Sequence, residues 1–331
     1  MITLKDIAQA AEVSQATVSR VLSGGKGISE KTCEKVLAIA RDLHYMPNVS
    51  AKILAGKNSG MIGMIVPEID SNYFAPMIYE VERQVQKQGY FLLIANTQYE
   101  KEKEIQALNT FCTYNVDGIF LTCTVNPDTL DTFEPILGQK HIPMVLLEAR
   151  FHSDKFNYIM VDDEAGMTEA VAYLKEQGHD RIGFIGDYIL DVMRSDLFRA
   201  AIRNNGLDPL ENPVFSNPDH RFELGGFEIM KHILEYPEHP RAFLAGYDDL
   251  AIGAIRAITE AGLRIPEDIR IIGNDNCREA PYLHRALSTL SPPLGKLAEL
   301  GTEMMVHAIN EKEDNVVRHI MLKPELIIRE T

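Results

Sequence analysis

No run of eighteen apolar residues occurs anywhere in the 331-residue chain, so no segment reads as a membrane-spanning helix. The start, Met1-Ile2-Thr3-Leu4-Lys5-Asp6, has no basic region leading into an apolar one, and no secretory signal is read there. Cysteine is scarce. Cys33, Cys112, Cys123 and Cys277 are scattered, with no C-x-x-C spacing, which argues against zinc and against a disulfide framework and fits a reducing cytoplasm. The ten histidines are dispersed without an H-E-x-x-H run, and there is no G-x-S-x-G and no Walker-A sequence. Gly24-Gly25-Lys26-Gly27 resembles a phosphate loop only in letters, because no strand precedes it. The expectation is a non-enzyme with no catalytic residues, no cofactor, no metal and no membrane partner.

The net charge of −15 argues against nucleic acid, but its distribution reverses the argument. Residues 1–60 carry eight Lys/Arg and five Asp/Glu, a net of +3 that leaves −18 for the rest. An acidic body repels DNA, so any DNA contact belongs to the N-terminal segment.

Residues 1–46 read as three short helices. Thr3, with Asp6 three residues on, starts the first, over Leu4 to Ala11. Ser14 caps the second, Gln15 to Leu22, with Val18, Val21 and Leu22 inward. Ser29 caps the third, Glu30 to Leu43, with Val36, Leu37, Ala40 and Leu43 inward. Helix, short turn and second helix form a helix-turn-helix pattern. The second helix offers Gln15, Ala16 and Arg20 to base edges: Gln suits adenine, Arg suits guanine and Ala meets a thymine methyl. Ser14 and Thr17, at the helix start, suit phosphate. Residues 47–60, with Pro47, Gly56, Ser59 and Gly60, read as a linker. Its one helical run, residues 50–55, is too short to hold alone in water.

From residue 61 short apolar runs alternate with amphipathic stretches. The runs are Met61–Val66, Tyr90–Ala95, Gly118–Thr122, Pro143–Leu147, Ile182–Gly186, Ala242–Ala245 and Ile269–Gly273. The helical stretches lie near 75–88, 100–114, 127–138, 165–177, 192–205, 222–234 and 248–261. That alternation predicts an α/β class with parallel sheets. It is too long for one doubly wound sheet, so two lobes are expected, with a boundary near 158–163 and a ligand cleft at the strand carboxyl ends.

Several sequence runs are similar to those of the lactose repressor/purine repressor family of transcriptional regulators. They are Thr3-Leu4-Lys5-Asp6-Ile7-Ala8, Val13-Ser14-Gln15-Ala16-Thr17-Val18-Ser19-Arg20-Val21-Leu22 and Leu43-His44-Tyr45-Met46-Pro47-Asn48 with Ala51-Lys52-Ile53-Leu54. Asn115–Ile119, Val161–Gly166, Gly178–Gly183, Asp248–Ala254 and Ile271–Asn276 extend the similarity across nearly the whole chain. The resemblance implies a helix-turn-helix headpiece (1–46), a hinge with a short helix (47–60) and a two-lobed, periplasmic-binding-protein-like effector and dimerisation domain (61–331). It places lobe 1 at 61–160 and 290–317, and lobe 2 at 161–289 and 318–331. It implies DNA contacts by Thr3, Tyr45, Asn48, Ala51 and Lys52 beside those already named. It also makes Leu54 a wedge between base pairs in the minor groove, because an exposed Leu on a hinge helix has no purpose in water.

By the same resemblance Arg194 and Asp275 occupy effector-binding positions. An Arg and an Asp facing a cleft grip hydroxyls or a polar ring edge from two sides. Tyr73 and Phe74 offer an aromatic wall, and Phe222, Tyr247 and Asp248 are further candidates. Three departures stand out. Glu12 lies where the family favours Gly or Asn, a place for left-handed backbone. Glu148-Ala149-Arg150 and Tyr247-Asp248 differ from the family pattern near the cleft. The expected protein is a homodimeric repressor that binds operator DNA and answers to a small molecule: a sugar or sugar derivative, with a purine, nucleoside or sugar phosphate as the alternative. The family's tetramers use a leucine-heptad tail, and Pro324–Thr331 holds none. A transport binding protein would need a signal peptide and no headpiece; an enzyme would need a nucleophile, base or metal set.

Overall fold

The computed structural model describes residues 2–22, 27–45, 58–122, 128–148, 153–188, 191–311 and 316–331. The described chain forms two compact units, one ending at Ser59 and one beginning at Gly60.

The first unit holds α1 (Leu4–Ala11), α2 (Gln15–Leu22) and α3 (Glu30–Asp42). Thr3 and Asp6 close a capping box: the Asp6 N–H donates to Thr3 Oγ1 (3.4 Å) and the Thr3 N–H to Asp6 Oδ2 (2.8 Å). Ser14 and Ser29 cap the next two helices by accepting the Thr17 and Thr32 N–H groups at 3.0 and 3.3 Å. Glu12 does take left-handed backbone (φ 58°, ψ 40°) as it ends α1. Ile7, Ala8, Ala11, Val18, Val21, Val36 and Ala40 make the small core. Leu37 is a correction to the sequence reading. One residue past Val36 it has turned about 100° around the helix and is 43% exposed, while Ile39 and Cys33 pack inward instead.

The second unit is two α/β lobes. In chain order lobe 1 begins with β1 (Met61–Val66), α4 (Phe74–Lys87), β2 (Phe91–Asn96), α5 (Lys101–Thr113), β3 (Gly118–Thr122), α6 (Asp128–Lys140), β4 (Met144–Leu147) and β5 (Asn157–Val161). Lobe 2 follows with α7 (Asp163–Glu176), β6 (Ile182–Asp187), α8 (Asp191–Asn204), β7 (Val214–Asn217), α9 (Phe222–Leu234), β8 (Ala242–Ala245), α10 (Asp248–Glu260), β9 (Arg270–Asn274) and β10 (Ser288–Ser291). Then α11 (Leu294–Asn310) and β11 (His319–Leu322) return to lobe 1, and β12 (Glu325–Ile327) ends in lobe 2. The sheet orders are β11-β5-β4-β3-β1-β2 and β12-β10-β9-β8-β6-β7. All pairings are parallel except β10 with β12.

One boundary falls where expected and one does not. The first crossing comes at Asp162, inside the expected 158–163, although this stretch also carries most of a lobe 1 strand. Residues 318–331 do not all rejoin lobe 2: His319–Leu322 pairs with Tyr158–Val161 in lobe 1, so the chain crosses at Lys323-Pro324. His319 stacks on Tyr158 with ring centroids 4.1 Å apart, a contact between distant segments that local periodicity does not record.

The central strands β1, β3, β4 and β6 are buried along nearly their whole length, as sheets covered on both faces require. Glycine lets two helices of lobe 2 touch backbone to backbone. A Cβ on Gly226 would overlap the Leu250 carbonyl oxygen, and one on Gly253 the Glu223 carbonyl oxygen. Among the described residues no helix is long and apolar enough to cross a membrane, and no cluster of three potential metal ligands occurs.

Candidate functional sites: a headpiece face and an interlobe cleft

On α2, Val18 and Val21 are buried, while Gln15, Ala16 and Arg20 are exposed together. The helix therefore presents an exposed face that carries an amide, a methyl group and a guanidinium. Ser14 and Thr17 share a hydroxyl hydrogen bond of 2.9 Å at its start, and Thr3 is exposed at the start of α1. Tyr45 is half-buried against the headpiece core, with its N–H donating to the Ala40 carbonyl at 2.9 Å. Asn48, Ala51, Lys52 and Leu54 lie outside the described residues.

The cleft lies where strands of both sheets end. Lobe 1 gives it Glu68 and Ser71 from the loop after β1, Tyr73 and Phe74 at the start of α4, and Tyr99 after β2. Lobe 2 gives it Arg194 from α8, Arg221 and Phe222 at the start of α9, Tyr247 and Asp249 around the start of α10, and Asp275 after β9. Six of the seven effector candidates line this one space; Asp248 does not.

Ser71 shapes the lobe 1 wall. Its Oγ accepts the N–H groups of Tyr73 and Phe74 at 3.1 and 3.2 Å, and the two rings meet edge to face, 5.1 Å apart. Phe74 is also part of the lobe 1 core. The Tyr73 hydroxyl is buried and makes no hydrogen bond. Burial first, and the neighbouring Glu148 carboxylate next, push its pKa well up. Glu148 itself is buried and takes left-handed backbone (φ 57°) at the end of β4.

Arg194 is 6% exposed and its Nη1 donates to the Gly246 carbonyl. Asp275 follows the same sheet's β9 with φ 111°, its N–H held by the Leu290 carbonyl at 2.8 Å. Its Oδ1 is buried and accepts no hydrogen bond. Burial raises its pKa well above the carboxylate range, and the opposing pull of Arg194 does not cancel that. Both residues belong to lobe 2, as expected of stretches within 161–289.

Asp248 corrects the sequence reading. It faces away from the cavity and ties lobe 2 together, accepting the Cys277 N–H and the Thr289 hydroxyl at 2.7 Å each. Its neighbour Asp249 takes the place expected of it, accepting from Asn72 Nδ2 of lobe 1 at 2.5 Å. Burial pushes both carboxyls up to about 6. Tyr247 bridges. Its hydroxyl donates to Asp187 Oδ2 (2.7 Å) and accepts the Phe222 N–H (3.1 Å), where Phe222 holds φ 55°.

Arg221 was missed by the sequence reading. Its Nε donates to Asp187 Oδ2 at 2.7 Å and its Nη1 to Glu68 Oε1, so it joins the lobes. Burial works against its charge, yet the bonds to Glu68 and Asp187 outweigh this and raise its pKa. Glu68, Ser71, Tyr99, Asp187 and Arg221 carry no motif. The signal available for Glu68 and Asp187 was position, at or just beyond the last residue of a buried strand.

Comparison with known proteins agrees with both halves. Residues 3–48 match the model for bacterial regulatory proteins of the lacI family, and residues 171–331 match a periplasmic binding protein-like domain. The HTH-type transcriptional repressor PurR of Klebsiella pneumoniae (strain 342) is 32% identical over 334 residues, covering 99% of this chain and 96% of that one. The lac repressor dimer bound to operator and the anti-inducer ONPF superposes with a TM-score of 0.85 at 25% identity, covering 100% of this chain and 98% of the other. A LacI family regulator from Enterococcus faecium with bound ribose gives 0.71 at 23% identity over 82% of this chain and 97% of its own. With the helix-turn-helix face, the two-lobed cleft and full-length similarity in hand, the chain belongs to the LacI family and is a DNA-binding transcriptional repressor with an effector-binding domain.

Proposed function

We propose that the protein works as a homodimer on a near-palindromic operator in the cytoplasm, and that a neutral polar effector in the interlobe cleft sets its grip on DNA. Gln15, Ala16 and Arg20 read bases, Ser14, Thr17 and Thr3 meet phosphates, and the hinge residues with Leu54 order on the operator. The effector reading rests on one observation above the others. Asp275 Oδ1 is buried at the cavity edge with no hydrogen-bond donor, and a buried unpaired acceptor costs about 1–3 kcal/mol. A ligand hydroxyl or ring N–H removes that cost.

A sugar or sugar derivative fits this best: Arg194 and Asp275 address hydroxyls while Tyr73, Phe74, Phe222 and Tyr247 cover its apolar faces. Operator control of a carbohydrate-utilisation operon follows from that choice. A purine- or nucleoside-type effector is the second reading, favoured by the flat aromatic walls and by the relatives that carry the name PurR.

The test is a thermal-shift screen against sugars, nucleobases, nucleosides and sugar phosphates, then operator titration with and without the hit. Asp275→Ala should abolish the response while leaving ligand-free operator affinity within about twofold, because ligand and operator are coupled only through the cleft. A full response in Asp275→Ala overturns the placement of the site.

A further inference from the structure

The cavity is too small for the ligands such a cleft takes. The cavity measures about 30 Å³, whereas small-molecule pockets measure about 300–1,000 Å³. The protein's own Arg221 lines this space. Its guanidinium lies over the Phe222 ring, 4.6 Å from the centroid, and 5.8 Å from the Tyr99 ring of lobe 1. Asp187, whose side chain is fully buried, holds it from lobe 2. The Tyr247 hydroxyl fixes that carboxylate in turn. Glu68 closes the pair from lobe 1, with both side chains nearly out of solvent (13% and 12% exposed). The Asn72–Asp249 bond is a second strap between the lobes.

We infer that Arg221 is a built-in latch: without effector it reaches from lobe 2 to Glu68 and holds the cleft shut, and an effector enters only by parting it. The chemistry suits this role. A planar guanidinium bonds two carboxylates at once and still stacks on an aromatic face. Because Asp187 and Tyr247 keep it aimed from its own lobe, little freedom is lost when Glu68 arrives. Loss of Glu68 leaves Arg221 anchored on lobe 2 but removes the ion pair between the lobes.

The chain has no tryptophan, so Tyr99→Trp places a single reporter beside the latch. The experiment uses full-length, ligand-free protein carrying Tyr99→Trp and reads acrylamide quenching, with circular dichroism to confirm the fold. Arg221→Gln and the milder Glu68→Gln should each raise the quenching constant at least threefold. Millimolar methylguanidinium should restore shielding to Arg221→Ala but not to Arg221→Ala with Glu68→Gln. Quenching unchanged in both single variants overturns the latch. So does a rise in Arg221→Gln alone, which would confine the residue's work to lobe 2. No effector is present in the measurement, so its failure and a failure of the effector-site reading are separate results.

Discussion

The two lobes share a plan and divide the labour. Each has a six-stranded sheet that takes its last strand from the C-terminal tail. Lobe 1 presents chiefly aromatic surface to the cleft, with Glu68 the carboxylate in its lining. Lobe 2 adds Phe222 and Tyr247 but also presents Arg194, Arg221, Asp249 and Asp275, and keeps Asp187 and Asp248 buried behind them. Charges can be buried in this way only when rigid neighbours hold their partners in place. The contrast puts most of the cleft's charge on lobe 2, and it makes lobe 2 the less forgiving of the two.

The sharpest way to break this comparison is to add one methyl group to each lobe. In Gly253→Ala the new carbon meets backbone of the neighbouring helix, which cannot swing aside. The expected cost is roughly 3 kcal/mol or more. In Gly301→Ala of lobe 1 the nearest atom is Leu147 Cδ2 at 2.7 Å, the end of a side chain that can turn, and about 1 kcal/mol is expected. Urea unfolding of the two variants checks the difference; equal losses would remove it.

A pH series asks the same question of charge. Asp249 has a folded value of about 6, raised from 3.8 by burial, and Asp248 behaves alike. Between those two values the folded state binds protons that the unfolded state does not, so stability rises as pH falls through that window and is lost again toward neutrality. The full effect is on the order of 2–3 kcal/mol per group. Melting temperatures of wild type and Asp249→Asn between pH 7 and 5 should show a shallower slope in the variant. Parallel slopes would remove Asp249 from the account.

The smallest expected effect is in lobe 1. Tyr73→Phe removes a buried hydroxyl that makes no hydrogen bond, so stability should be unchanged or up by as much as about 1 kcal/mol. A loss beyond 1 kcal/mol in chemical denaturation would show that lobe 1 also depends on a polar group at the cleft.

How much of this was legible in the sequence follows from how local each feature is. The caps at Thr3, Ser14 and Ser29 are settled within four residues of chain and read directly; the left-handed turn at Glu12 was expected only from the resemblance. Buried central strands such as Met61–Val66 and Gly118–Thr122 read equally well, because burial on both faces leaves an unbroken apolar run. The edge strands Val214–Asn217 and His319–Leu322 did not: they mix polar and apolar residues and gain their identity from a partner far away in sequence. The cleft divides the same way. Arg194 and Asp275 were named through resemblance, and the aromatic pair through its place just after the first strand of the lobe. Arg221 and Glu68, 153 residues apart, had no pattern to betray them, and Asp248 was mistaken for Asp249 because adjacent residues at a helix start point to different neighbours.

The chain passes between the lobes three times, at Asp162, at Pro292-Pro293 and at Lys323-Pro324. For protein engineering this means that neither lobe is a segment that can be lifted out by truncation. A chimera that borrows lobe 2 from a relative needs three splice points, not one. A protease that cuts at a single crossing leaves the halves strung together by the other two. Two of the three crossings contain proline, whose ring fixes one backbone angle, so those two connections have less backbone freedom than ordinary peptide.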